Sequence, residues 1–375
     1  MDALDQVIAA AGADAYVMYA SSLDPDMRYL TGFTTSDPFV YFKKRGQRGT
    51  IIVSQMECAR AARESKAAVM SRTSAGLPEI LKRESNHWKA TAIMIAGQVD
   101  GTILVPPTFP HALARALSET CTISVDEKGL ESLRAVKSRT EIRSIRHVQE
   151  CTERAVDIAI TMIRKARVRK GELTLDRRPL TSERIRSEIH KVLVELGCRT
   201  TDTIVACGKT AAVPHALGSG TLIPDEPIVI DLFPQDEKTG YYSDMTRTVV
   251  KGEAAPEILE MYEAVTEAHD LAVSRVRAGA NGAEIHNEVI GFFSERGYGN
   301  GTKGFVHNLG HGVGLEVHEA PSLGPSGGDL SAGNIITIEP GLYFPEIGGV
   351  RLEDIGMVTA RGFTRFTRYP RELEL

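Results

Sequence analysis

Two runs of β-branched residues in this chain each end on a carboxylate. Pro227-Ile228-Val229-Ile230 leads into Asp231, and Ile335-Ile336-Thr337-Ile338 leads into Glu339. A strand this apolar is buried on at least one face, and Asp or Glu is rarely buried without a partner. A second carboxylate follows each run. Asp244 comes 13 residues after Asp231, in Ser243-Asp244-Met245-Thr246-Arg247-Thr248, and Glu353 comes 14 after Glu339, in Gly349-Val350-Arg351-Leu352-Glu353-Asp354. Each pair reads as a hairpin. Strands at 228–232 and 246–250 flank a polar turn containing Gly240; strands at 335–338 and 350–355 flank a turn containing Gly341 and Gly348-Gly349. The matched pairs point to an old duplication.

Four converging carboxylates would repel one another and raise one another's pKa. Two divalent cations would balance them. Between the pairs stands His307-Asn308-Leu309-Gly310-His311-Gly312-Val313-Gly314, followed by His318-Glu319. Hard oxygens plus one imidazole suit manganese, cobalt, iron or zinc, and carboxylates able to bridge two ions are what a two-metal hydrolase requires. Taken singly, each acid would be read as a solvated loop residue, and Asp354 and Glu319 are expected to be such residues. His307 or His318 alone would be a structural histidine. The argument rests on the five candidates occurring in order, each at a strand end or glycine-rich turn.

Other chemistries lack their marks. The glycines around His311 come with no P-loop lysine and no GxGxxG after a strand. Gly218-Ser219-Gly220 lacks the spacing of a nucleophile elbow, and no cysteine sits in a nucleophile motif.

At 375 residues the chain is long enough for about two domains. The first third alternates strands at 14–19, 50–53, 68–70 and 103–105 with helices at 57–66 and 111–117, the pattern of a small α/β domain. A long amphipathic helix is expected over about 140–165, with Ile142, Ile145, Val148, Ala155, Ile158 and Met162 on its apolar face. The boundary falls near 130–137, giving domains of 1–132 and 133–375. Further helices are expected at about 182–196, after the N-cap Thr181, and at about 256–276.

A net charge of -5 argues against a nucleic-acid surface, which needs a basic field. No apolar stretch approaches the ~18 residues of a membrane helix. Met1-Asp2-Ala3-Leu4-Asp5 lacks the basic start and apolar stretch of a signal peptide. Cys58, Cys121, Cys151, Cys198 and Cys207 are scattered and odd in number, which fits a reducing compartment. A cytoplasmic protein is expected.

The motifs around Asp244, His311, His318, Glu339 and Glu353 resemble those of the M24 metallopeptidases, which include methionine aminopeptidase, aminopeptidase P, prolidase and creatinase. The resemblance is strong over about 131–375. It implies an α+β pita-bread catalytic domain, of creatinase/aminopeptidase-like type, behind an α/β N-terminal domain. Leu133-Arg134-Ala135-Val136-Lys137-Ser138 with Glu141 resembles the hinge before that catalytic domain. The first ~130 residues resemble, more weakly, the N-terminal domain of the creatinase, prolidase and aminopeptidase P branch, which methionine aminopeptidases generally lack.

The resemblance implies five metal ligands: Asp231 chelating one ion, Asp244 and Glu353 bridging two, and His311 and Glu339 completing the second site. Creatinase, which has lost this metal site, is therefore a poor match. His215 matches a histidine on the substrate side. His318 matches one that stabilises the tetrahedral intermediate, and Arg351 an arginine supporting the site beside Glu353. The chain departs from the pattern at Phe233, where the family usually has glycine, and in a slightly long turn at 235–240.

The expected function is removal of an N-terminal residue preceding proline, as an Xaa-Pro aminopeptidase or Xaa-Pro dipeptidase (prolidase). The cofactors are two divalent ions per chain, manganese foremost, with cobalt, zinc or iron as alternatives. Glu339 is the candidate proton shuttle. His318 and His215 would donate to the oxyanion. A homodimer is expected, in which the N-terminal domain helps wall an active site. Nucleic-acid and membrane partners are not expected. Two alternatives stay open: an aminopeptidase or other enzyme of different specificity on the same fold, and an inactive pita-bread binding module. All five ligands being present weighs against the second.

Overall fold

A computed structural model of the chain describes residues 2–299 and 301–375. It divides into two compact units, Met1–Arg134 and Ala135–Leu375.

The first unit is built on a six-stranded mixed sheet. Its strands run, edge to edge, Ala68–Ser71, Thr50–Val53, Phe39–Lys44, Ala15–Ala20, Thr102–Val105 and Thr122–Val125. Side chains alternate across a strand, and here both faces are covered. Ala15 and Val17 join a cluster with Ile95, Leu113 and Leu117. Tyr16 and Met18 point the other way, to Leu4, Ile8 and Met27. The strand at Phe39–Lys44 and the helices Ala3–Ala10 and His87–Ala96 were not legible from periodicity. The Phe39–Lys44 strand is buried on both sides, so it shows no alternation, and it carries a lysine that is itself buried.

In the second unit the helix Arg139–Lys165 starts at a capping box: the Ser138 hydroxyl accepts from the Glu141 N–H, and the Glu141 carboxylate accepts from the Ser138 N–H. Its buried stripe includes Ile145, Val148, Val156, Ala159, Ile160 and Ile163. Ile158 and Met162, expected on that face, are half-buried at its margin, because the β-branched and small residues beside them lie against the helix Ser182–Glu195. Helices Pro256–Arg275 and Gly282–Glu295 pack in a second cluster of the same unit.

Two sheets carry the carboxylates. The first orders Ile204–Cys207, Pro227–Leu232 and Met245–Val250, all antiparallel, with Asp231 opposite Thr246. The second orders Glu319–Leu323, Gly310–Gly312, Ile335–Ile338, Asp354–Thr359 and Gly362–Arg365. This corrects the expected second hairpin. Ile335–Ile338 pairs with Asp354–Thr359, and Gly348–Arg351 instead pairs with Gly341–Phe344 in a hairpin of its own. Pro340, with no N–H to give the ladder, follows Glu339, and the chain leaves the sheet there until Asp354. Among the described residues no helix is long and apolar enough to cross a membrane.

Candidate metal centre

Each candidate ligand is set by the end of a strand. Asp231 sits on Pro227–Leu232 and Asp244 directly precedes Met245–Val250. The Glu353 N–H bonds the Thr246 carbonyl at 3.2 Å, which draws the end of the second sheet onto the first. The Glu339 N–H bonds the Leu309 carbonyl at 2.8 Å, so Glu339 lies beside the short strand that carries His311. That strand needs its glycines: a Cβ on Gly312 would lie 2.2 Å from the Ala320 carbonyl oxygen.

The structure brings the candidates together. Asp244, His311 and Glu353 offer ligand atoms that all lie within 4.8 Å of one another. His311 Nε2 lies 3.2 Å from Glu339 Oε1 and 3.7 Å from Asp244 Oδ2. Asp231 reaches the cluster through Arg351, whose Nη2 donates to its Oδ2 at 2.6 Å. Arg351 therefore braces Asp231; its link to Glu353 is indirect, through Thr246. The Thr246 hydroxyl donates to Glu353 Oε2 at 2.8 Å and accepts from Arg351 Nε at 3.1 Å.

His318 lies at the exposed rim with its ring centroid 4.1 Å from that of His311. His215 is exposed after the turn Gly208–Ala212; burial above all holds the His307 and His318 rings below the ordinary imidazole value, and the nearby His215 adds to this. Its neighbour Pro214 accepts from Arg351 Nη1 at 3.4 Å.

Electrostatics separate the acids. Burial first, then the charge of Glu353, pushes the Asp244 carboxyl well above its ordinary range. Glu353 is raised likewise, by burial and then by Glu339 and Asp231. Burial also acts to raise Glu339, but the hydrogen bond and charge of His311 outweigh it and hold that group at about 2.

Among the described residues of this cluster, three buried oxygens have no hydrogen-bond partner: Asp231 Oδ1, Asp244 Oδ1 and Glu353 Oε1. A buried carboxylate oxygen without a donor is costly. Three such oxygens on one cluster, with an imidazole among them, are the donor set of a divalent cation, so these residues fit the metal that their pattern implies.

Three residues of the cluster were not singled out in the sequence. Thr246 is two positions beyond Asp244, the period that puts both on one face of an extended chain, and that was the available signal. Tyr343 accepts from Arg351 Nη1 at 2.6 Å and bonds His307 Nε2 at 3.0 Å. Thr337 accepts from the His311 N–H at 3.1 Å. No sequence period links Tyr343 to Arg351, because they meet through the hairpin of Gly341–Phe344 with Gly348–Arg351.

Two acids expected to be solvated are not. Asp354 is fully buried and accepts from Arg247 at 2.9 Å, Arg371 at 2.7 Å and Arg365 at 3.1 Å. The Glu319 side chain is 2% exposed, paired with Lys137. Their partners lie far away in sequence, so only the fold reveals them. The departure at 233–240 is accommodated by local bonds: the Gln235 carbonyl oxygen Oε1 accepts from Arg199 Nε at 2.8 Å, and Asp236 Oδ1 accepts from the Thr239 hydroxyl at 2.6 Å.

Comparison with known proteins places the family. The family model described as Metallopeptidase family M24 matches residues 143–360, and that of the Creatinase/Prolidase N-terminal domain matches residues 1–136. The chain is 30% identical over 361 residues to an Xaa-Pro dipeptidase of Pyrococcus horikoshii, covering 93% of this chain and 92% of the relative. It is 31% identical over 336 residues to an Xaa-Pro dipeptidase of Pyrococcus furiosus, covering 88% and 87%. Among solved structures, the prolidase from Pyrococcus horikoshii superposes with a TM-score of 0.82 at 26% identity, over 99% of this chain and 98% of the other.

Proposed function

The chain belongs to metallopeptidase family M24, and from that premise we propose that it hydrolyses the bond between an N-terminal residue and a following proline. The substrate class is the Xaa-Pro dipeptide, and the cofactors are two divalent ions, manganese foremost. One observation carries this reading: Asp244, His311 and Glu353 converge within 4.8 Å while oxygens of both acids, and of Asp231, have no hydrogen-bond donor. The dipeptide class follows the two archaeal relatives, both named for it. We take the protein to be a cytoplasmic homodimer, which sedimentation at micromolar concentration tests.

Asp231, Asp244, His311, Glu339 and Glu353 would hold the metals. Bound there, divalent ions would supply Lewis acidity and a water acidified to near neutral pH. The chain's own groups do the rest. Glu339, kept ionised by His311, can accept a proton at its carboxylate and return it to the leaving nitrogen. Any amide nitrogen needs that proton to leave as an amine; proline differs in offering no N–H to bind beforehand. His318, with His215, would donate to the oxygen on which negative charge develops; losing one such donor costs roughly 2.7–4 kcal/mol of transition-state stabilisation. Arg351 holds Asp231 in place and offsets part of its charge.

The test compares Ala-Pro and Ala-Pro-Ala with Ala-Ala and Ala-Ala-Ala in the presence of manganese. The reading expects turnover of Ala-Pro above all others. Efficient cleavage of Ala-Pro-Ala would move the assignment to an Xaa-Pro aminopeptidase. Equal or faster hydrolysis of the alanine series would refute the proline requirement.

A further inference from the structure

Lys137 Nζ stands 2.6 Å from Glu319 Oε1, and the two side chains are 1% and 2% exposed. Enclosing an ion pair this fully is a poor source of stability, since desolvation offsets most of the attraction. What it does supply is a fixed geometry, and the geometry here leads to the metal centre.

Glu319 directly follows His318. His318 is exposed, with the His311 ring beside it at 4.1 Å and 79°. An exposed imidazole on a turn keeps one orientation only if the backbone beneath it is held. The Glu319 carboxylate, enclosed on the very next residue, restrains the backbone that carries the ring. It lies on the face of Gly314, where a Cβ would stand 2.2 Å from Oε1, so the glycine leaves the room that the carboxylate fills.

Lys137 is anchored in turn to the strand that bears Glu339. Its N–H bonds the Gly333 carbonyl at 3.0 Å, and its Nζ donates to the Ala135 carbonyl at 3.2 Å. The Asn334 amide donates to the same Ala135 carbonyl at 2.9 Å, and Ile335–Ile338 follows at once, ending at Glu339. One end of the ion pair is thus tied to the Glu339 strand and the other to the His318 turn.

We propose that Lys137 is a positioning residue for catalysis: through its enclosed pair with Glu319 it fixes the His318 imidazole against His311. The turnover arm of the test rests on the peptidase reading; the spectroscopic arm does not. In the manganese enzyme, Lys137→Met lowers kcat on Ala-Pro about 10²-fold, the scale of a misplaced catalytic group, with KM changed by less than about twofold. Glu319→Gln, which keeps the side-chain volume if Lys137→Met proves unstable, shows the same pattern. In a His318→Ala background either change costs less than about twofold more, because the group being positioned is gone. Equal losses in both backgrounds overturn the proposal, since a merely structural defect would act alike in each. If the wild-type enzyme cuts no Xaa-Pro bond, the peptidase reading fails, and positioning is judged from the His318 Cε1–H signal of the zinc-loaded protein. A shifted or split signal in Lys137→Met and Glu319→Gln supports it, and an unchanged signal overturns it.

Discussion

Arg351 Nη2 lies 2.6 Å from Asp231 Oδ2, a contact between residues 120 positions apart in the chain. The same guanidinium reaches the Tyr343 hydroxyl and the Thr246 hydroxyl, so three elements meet on one planar group. Both side chains of the pair are largely enclosed, at 4% and 11% exposure. Asp231 thereby has one oxygen occupied and the other, Oδ1, left for a different partner.

Arg351→Met leaves the Asp231 carboxylate buried with no countercharge, which costs about 3–5 kcal/mol of stability for such a pair. The melting midpoint of the metal-free protein is expected to fall. Arg351→Lys is expected to recover only part of it, because an ammonium cannot serve Asp231, Tyr343 and Thr246 in one plane. A lysine variant as stable as wild type would contradict this use of the fork.

Thr246→Val keeps the shape of the side chain and deletes its hydroxyl. Glu353 Oε2 loses its donor, and Arg351 Nε loses its acceptor. Removing a partner that orients a metal ligand typically weakens metal affinity 10–100-fold, and a loss in that range is expected in a manganese titration. Unchanged affinity would mean that Thr246 does not orient Glu353.

In the first unit Lys43 is enclosed with Asp5, at 4% and 5% side-chain exposure and 3.1 Å apart. Burial opposes ionisation of Asp5, but the Gly46 N–H and Lys43 hold its carboxyl below the ordinary 3.8. A group depressed in the folded state stabilises above its unfolded pKa, and that stability is lost as pH falls through the folded value. Asp5→Asn is therefore expected to cost about 1–3 kcal/mol of stability at pH 7, as for a buried group losing its partner, and so to lower the melting midpoint. The difference from wild type should shrink below about pH 4. A gap that stays constant down to pH 2 would count against the pair.

How far the sequence carried the account follows from where each signal lies. Asp231 and Glu339 were legible because an acid ending a buried run breaks a strong rule, and the motifs around Asp244, His311 and Glu353 resemble a known family. The hairpin Gly341–Phe344 with Gly348–Arg351 was not legible: Gly341 looked like turn punctuation, yet the residues after it form a strand. Glu319 and Asp354 looked like solvated loop acids because Lys137, Arg247 and Arg371 lie from 17 to 182 positions away in sequence. Such pairings depend on tertiary geometry, which local periodicity does not encode.

The central claim is that four carboxylates and one imidazole hold two catalytic ions. It is tested most directly by titrating chelator-treated protein with manganese while following Ala-Pro hydrolysis. The account predicts no turnover without metal and activity that saturates at two equivalents per chain. It predicts none at any manganese level for Asp244→Ala, which removes an oxygen that has no hydrogen-bond partner and would be available to an ion. Full turnover by the metal-free protein, or by Asp244→Ala, would contradict it.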